Sequence, residues 1–195
     1  MEPWFRRCAS FEEEAAADRE YWTRFTPDER VALIEDLKDD FASMTGERPR
    51  RGDFGDLLAA FTAHDVRALI IGAYAVAHHA KPRFTKDLDF FTEPSPENAE
   101  RVLRALADFG FGEIGLGIAD LSVPGKIIQL GFPPHRIDLV TSIDGVSFAE
   151  AWNGRSAGTL DGEPAFYIGR RELMRNKEAS GRPQDLVDLA LLRET

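Results

Sequence analysis

From residue 53 onward, short apolar runs of strand length alternate with amphipathic segments of helix length, and this alternation most limits what the chain can become. Phe54, Leu57, Leu58 and Phe61 mark one helix face. A buried strand follows over 67–71 and ends at Gly72, which opens a short helix over 73–80. Residues 86–92 read as a second strand. Ser95 and Pro96 then start a helix whose apolar face is Ala99, Val102, Leu103, Leu106 and Phe109, with Gly110 as its stop. Segments 126–131 and 136–141 flank Pro133–Pro134 and predict a hairpin, 163–168 is a further strand, and two helices over 169–179 and 183–193 are separated by Gly181 and Pro183. Interleaving of this kind argues for an α/β or α+β layer fold.

Ahead of this region lie two acidic helices. Ser10 and Glu13 form a capping box for a helix over 10–25, and Thr26 and Glu29 form another ahead of Val31, Ile34, Leu37 and Phe41. The polar, basic stretch 45–53 reads as a linker. The expected organisation is an N-terminal helical extension over 1–48 and a folded domain over 53–195. The extension could fold back over a basic cleft or serve as a dimerisation arm, and the oligomeric state is open.

Composition narrows the class. With 24 Lys and Arg against 34 Asp and Glu, the chain carries a net charge of −10 and its average surface repels polyanions. A single cysteine, Cys8, excludes an intrachain disulfide framework and a multi-cysteine metal site. No apolar run reaches the ~20 residues needed to span a bilayer, and MEPWFRRCASFEEE has no apolar core of a secretory signal. A cytoplasmic protein with no membrane partner is expected.

The chemistry concentrates in three places. Asp87 and Asp89, two apart in a strand, point to the same face, opposite Leu88 and Phe90. Such a pair is tolerable at a solvated strand end or where a divalent cation neutralises it. Asp138 is a lone carboxylate in the apolar run RIDLV. It either pairs with Arg136 on its own face or adds a third ligand to the same cluster. Gly72, at a strand-to-helix turn, exposes backbone N–H groups that suit a phosphate, and Lys81, Arg83 and Lys86 precede the carboxylates. Cations beside metal ligands suit a substrate such as a triphosphate. The most basic stretch, with Arg170, Arg171, Arg175, Lys177 and Arg182, is the expected side for phosphate or RNA approach. The histidines lack ligand spacing: His78 and His79 are adjacent on one helix and cannot both face one metal.

The order of these pieces, with IIGAYAVAHHAKPRFTKDLDFF over 70–91 and NKEASGRPQDLVD over 176–188, resembles the minimal nucleotidyltransferases of the AbiEii-like group, found in bacterial toxin–antitoxin and phage-defence systems and sharing the polymerase-beta-like fold. The resemblance covers about residues 53–195. It implies a nucleotidyltransferase fold, a small mixed sheet flanked by helices. It implies an enzyme moving a nucleoside monophosphate from a nucleoside triphosphate to a hydroxyl of an RNA (tRNA) end or a partner protein. Asp87, Asp89 and Asp138 would hold two Mg²⁺ ions, with Asp138 also a candidate base. Gly72, Ala73, Arg83, Thr85, Lys86, Lys177 and Asp185 would bind the nucleotide, with Asp185 orienting Lys177 or meeting substrate. The chain departs from the group at Ala73, where Gly or Ser is usual, and at Ala80, where Gly is usual. The alternatives are a catalytically weak protein of this fold acting as a toxin or antitoxin binding partner, and a transferase acting on a small molecule of antibiotic type.

Overall fold

A computed structural model describes residues 23–34, 53–83, 85, 87–112, 115–130 and 136–194. Six strands form one mixed sheet: β1 Ala68–Ile70, β2 Asp87–Thr92, β3 Ile127–Leu130, β4 Arg136–Val140, β5 Ser156–Leu160 and β6 Glu163–Tyr167, in the order β3-β4-β2-β1-β6-β5. The pairs β2·β4 and β1·β6 are parallel, whereas β1·β2, β3·β4 and β5·β6 are antiparallel. The helices are α1 (27–34 as described), α2 Asp53–Ala63, α3 Gly72–His79, α4 Pro96–Leu106, α5 Ile118–Leu121, α6 Phe148–Asn153, α7 Arg170–Ser180 and α8 Pro183–Glu194. The fold is therefore mixed α/β, a six-stranded sheet flanked by helices, as the alternation of the sequence implies. Among the described residues no helix is long and apolar enough to cross a membrane.

The sheet forms because its apolar positions have somewhere to go. Leu69, Ile70, Leu88, Phe90 and Leu139 are fully or almost fully buried, and Tyr74, Val76, Val102, Leu106 and Tyr167 close the same core. Strand β2 alternates as its sequence demands. Leu88 and Phe90 face the core while Asp87 and Asp89 stay partly exposed on the other side.

The starts of α1 and α4 carry the caps read from the sequence. Thr26 and Glu29 exchange side-chain and backbone hydrogen bonds of 2.7 Å and 3.2 Å ahead of α1, and Ser95 Oγ accepts from Asn98 N at the start of α4. Gly181 takes a left-handed conformation after α7, and Pro183 begins α8.

Several expectations need correction. Helix α4 ends at Leu106, and the chain passes through a π turn, Ala107–Phe111, in which Gly110 has φ 101° rather than stopping an α-helix directly. Strand β5 was not expected, because Ser-Ala-Gly-Thr-Leu has little apolar signal. It is an edge strand held by β6 across Asp161–Gly162, two residues with φ 52° and 84° that suit a tight hairpin. Helices α5 and α6 were also not expected, although Ser147 and Glu150 make a capping box ahead of α6.

The helix expected over 10–25 lies almost entirely outside the described residues, and its last three residues form a turn. The linker over 45–53 and the hairpin turn at Pro133–Pro134 lie outside them too, except that Asp53 begins α2. The described part of the extension is not a separate body. Val31 and Ile34 are buried in the main core. Arg30, itself 8% exposed, donates from Nε to the Ala77 carbonyl (3.1 Å) and from Nη2 to the His78 carbonyl (2.8 Å). It thereby satisfies carbonyls at the C-terminal end of α3 that have no intrahelical donor. Asp28 Oδ1 accepts from Thr159 N at 3.0 Å, tying the same segment to β5.

Candidate functional site

The parallel pairing of β2 and β4 decides the site. In this register Asp89 lies opposite Asp138 and Asp87 lies opposite Arg136. Three carboxylates from two strands thus share one face of the sheet. They line a cleft of ≈ 570 Å³ closed by the start of α3, the loop before β2 and the α7–α8 hairpin.

Asp89 sits against the start of α3. Gly72 has φ +63°, and a Cβ added there would lie 2.1 Å from Asp89 Oδ2, so the carboxylate occupies the space a side chain would need. Ile71 N donates to the Asp89 carbonyl at 3.0 Å and locks the turn to β2. Among the described residues no hydrogen bond or ion pair reaches the Asp89 carboxylate. Burial, then the charges of Asp138 and Asp87, push its pKa up to about 6 against the opposing pull of Lys177 and Arg136.

Arg136 offsets part of that charge. Its Nη2 donates to Asp87 Oδ2 at 2.6 Å and to Asp138 Oδ2 at 3.1 Å, and its Nε lies 3.0 Å from Asp138 Oδ1. That last contact is an ion pair without hydrogen-bond alignment, since Asp138 Oδ1 is buried and accepts no hydrogen bond. Gln129 Nε2 donates to Asp138 Oδ2 at 3.3 Å. Asp138 thus pairs with Arg136 on its own face, and the strand register sets it opposite Asp89.

The expected nucleotide-binding residues fall around the same cleft. Gly72, Ala73, Arg83, Thr85, Lys177 and Asp185 all line it, while Lys86 lies outside the described residues. The Thr85 hydroxyl bonds the backbone of Asp87, at 3.2 Å to its carbonyl, and so fixes the entry to β2. Arg83 and Lys177 converge on one acid. Arg83 donates to both oxygens of Asp188 at 2.8 Å and 3.0 Å. Lys177 Nζ lies 2.9 Å from Asp188 Oδ2 and 2.6 Å from Asp185 Oδ1.

Asp188 is fully buried. Burial pushes the Asp188 and Asp185 carboxyls up, but the hydrogen bonds and charges of Arg83 and Lys177 for the first, and of Lys177, Ser180 and Arg182 for the second, outweigh it and hold both below the usual range. Asp188 was not expected as a site residue. Its signal was an acid within the apolar run LVDLALL, three residues after Asp185, which puts both on one helix face.

The arginines of the basic stretch each have a partner within the fold. Arg170 donates to the Leu192 carbonyl, Arg175 pairs with Glu150 at 3.1 Å, and Arg171 pairs with Glu172 at 3.1 Å. Arg171, Arg175 and Arg182 nonetheless remain exposed at the surface.

Whether divalent cations suit this cleft turns on its own atoms. Three carboxylates on one face of the sheet offer the hard oxygen donors magnesium prefers. As arranged, no group of three or more His, Cys, Asp or Glu among the described residues is placed to hold a metal ion. The carboxylates fit in donor type and in sharing a face, and Arg136 bonds two of them, Asp87 and Asp138.

Compared with known proteins, the chain matches no family model and no curated protein.

Proposed function

We propose that the chain has the nucleotidyltransferase fold and transfers a nucleoside monophosphate from a nucleoside triphosphate to a hydroxyl, with Mg²⁺, at the cleft between β2, β4 and α3. The observation that carries this reading is the register of Asp89 against Asp138, beside a glycine that opens a helix at the same point.

Two divalent cations held by Asp87, Asp89 and Asp138 would neutralise the triphosphate and lower the pKa of the attacking hydroxyl. The residues of the chain do the rest. The first-turn N–H groups of α3, at Gly72 and Ala73, have no intrahelical acceptor and bind phosphate oxygens. Arg83 and Lys177 pair with the phosphates as well, held ready by Asp188 and Asp185. Asp138 accepts the proton of the acceptor hydroxyl. The hydroxyl oxygen bonds to the α-phosphorus as the bond from that phosphorus to the α–β bridging oxygen breaks, and pyrophosphate leaves with the electron pair.

The acceptor is an RNA (tRNA) end or a partner-protein hydroxyl, in a toxin–antitoxin or phage-defence setting. The net charge of −10 disfavours a grip on extended RNA but leaves a single RNA end accessible. The Arg136 bridge, which already engages Asp87 and Asp138, gives one observation in favour of a second reading, in which the fold serves as a toxin or antitoxin binding partner.

Nucleoside triphosphates labelled at the α- or the γ-phosphorus, added to a lysate with wild type or Asp89→Ala, separate the two. Transfer predicts α-label in RNA or protein with wild type and none with the variant. Equal labelling by both proteins, no labelling, or label from the γ-position would refute it.

A further inference from the structure

We infer that Arg136 is a built-in counter-ion of the carboxylate cluster, displaced when a divalent cation binds. This inference rests on the proposed cation-binding role of Asp87, Asp89 and Asp138.

Register places Arg136 next to Asp87 across the β2·β4 pair, while the two-residue repeat of the strand places it on the same face as Asp138. One guanidinium therefore reaches both acids, at 2.6 Å to Asp87 Oδ2 and at 3.1 Å and 3.0 Å to the two oxygens of Asp138. Its side chain is 29% exposed, so it has solvent to move into. The contact with Asp138 is imperfect: Arg136 Nε and Asp138 Oδ1 are both buried, and the pair lacks hydrogen-bond alignment. Asp89 is left out of the bridge. The bridge thus gives one positive charge to two of the three carboxylates.

A divalent cation brings two charges and binds oxygens from several directions, so it competes for Asp87 and Asp138 and also engages Asp89. Opposite charges at ion-pair distance in a half-buried cleft attract strongly, and the arginine contacts are lost as the cation's are gained. Without a cation, Arg136 keeps the cluster from repelling itself apart.

Mn²⁺ binding to the full-length chain, followed by electron paramagnetic resonance and titration calorimetry, tests this without an activity assay. Arg136→Gln should bind Mn²⁺ about tenfold more tightly than wild type. Arg136→Lys, whose single ammonium cannot bridge both acids as a guanidinium does, should bind severalfold more tightly. Arg182→Gln, which removes a charge near the cleft without touching Asp87 or Asp138, should stay within about twofold. Saturating Mn²⁺ should also raise the melting temperature of Arg136→Gln more than that of wild type.

If wild type binds Mn²⁺ and Asp89→Asn does not, while both Arg136 variants bind no more tightly than wild type, Arg136 is not a displaced counter-ion and the cation-site reading stands. If wild type and Arg136→Gln bind no Mn²⁺, or Asp89→Asn binds as well as wild type, the cation-site reading itself is overturned, and the inference with it. Should Arg136→Gln not fold, Arg136→Lys against Arg182→Gln decides the question alone.

Discussion

Gly72 and Asp89 share one volume: the carboxylate of Asp89 fills the place where any other residue at 72 would carry its Cβ. Gly72 also has φ +63°, a conformation that disfavours side chains. Gly72→Ala should therefore cost about 2 kcal/mol or more of stability and displace the Asp89 carboxylate. Urea denaturation reads the first effect and Mn²⁺ affinity the second. A variant as stable as wild type with unchanged Mn²⁺ affinity would contradict this packing.

Asp188 holds Arg83 and Lys177 at once, while itself fully buried. Asp188→Ala removes the acid that Arg83 and Lys177 share, leaving Lys177 its pair with Asp185. A loss of about 3–5 kcal/mol is expected in chemical denaturation, as for other broken buried pairs. Asp188→Asn keeps the shape and should lose less stability, yet still weaken nucleotide binding, because an amide orients two cations less firmly.

Acid should destabilise the fold through His78. This ring stacks on Tyr167 at 4.1 Å, and its Nε2 lies 3.0 Å from Ser156 Oγ. Burial, then the neighbouring His79, lowers its pKa from 6.5 to about 4, against a smaller upward pull from Asp28. The unfolded chain thus binds the proton more readily between those values, and stability falls as pH drops from about 6.5 toward 4. The shift corresponds to about 3 kcal/mol at the lower end. His79 is lowered in the same direction, chiefly by burial. Denaturation across this pH range should show a shallower acid slope for His78→Gln than for wild type. Parallel slopes would contradict the assignment.

Arg30 joins the N-terminal segment to the far end of α3. Arg30→Ala removes donors to the carbonyls of Phe25, Ala77 and His78 and should cost about 2 kcal/mol. Because Gly72 lies at the opposite end of the helix, nucleotide affinity should stay within about twofold. Calorimetry and urea melts on the same sample measure both.

The sequence made the carboxylate face legible because a two-residue repeat needs no tertiary knowledge: Asp87, Asp89 and Asp138 could be assigned to strand faces from spacing alone. Whether Asp138 stood beside them depended on β2 and β4 pairing in parallel with Asp89 opposite Asp138, which no local pattern specifies. Arg136 was visible as a same-face neighbour of Asp138, but its reach to Asp87 comes only from that register. Asp188 stayed hidden because its partners, Arg83 and Lys177, lie 105 and 11 positions away, and burial rather than spacing gives it its role. Strand β5 stayed hidden because Ser156, Ala157 and Gly158 carry almost no apolar signal. Its pairing with β6, through Asp161–Gly162, supplies the order its own residues lack.

The most direct measurement is calorimetric binding of a nucleoside triphosphate whose α–β bridge cannot be cleaved, with and without Mg²⁺, to wild type and Asp89→Asn. The account predicts binding by wild type that requires Mg²⁺, and loss of that binding in the variant. Equal affinity in both proteins, affinity indifferent to Mg²⁺, or no binding of any of the four bases would contradict it.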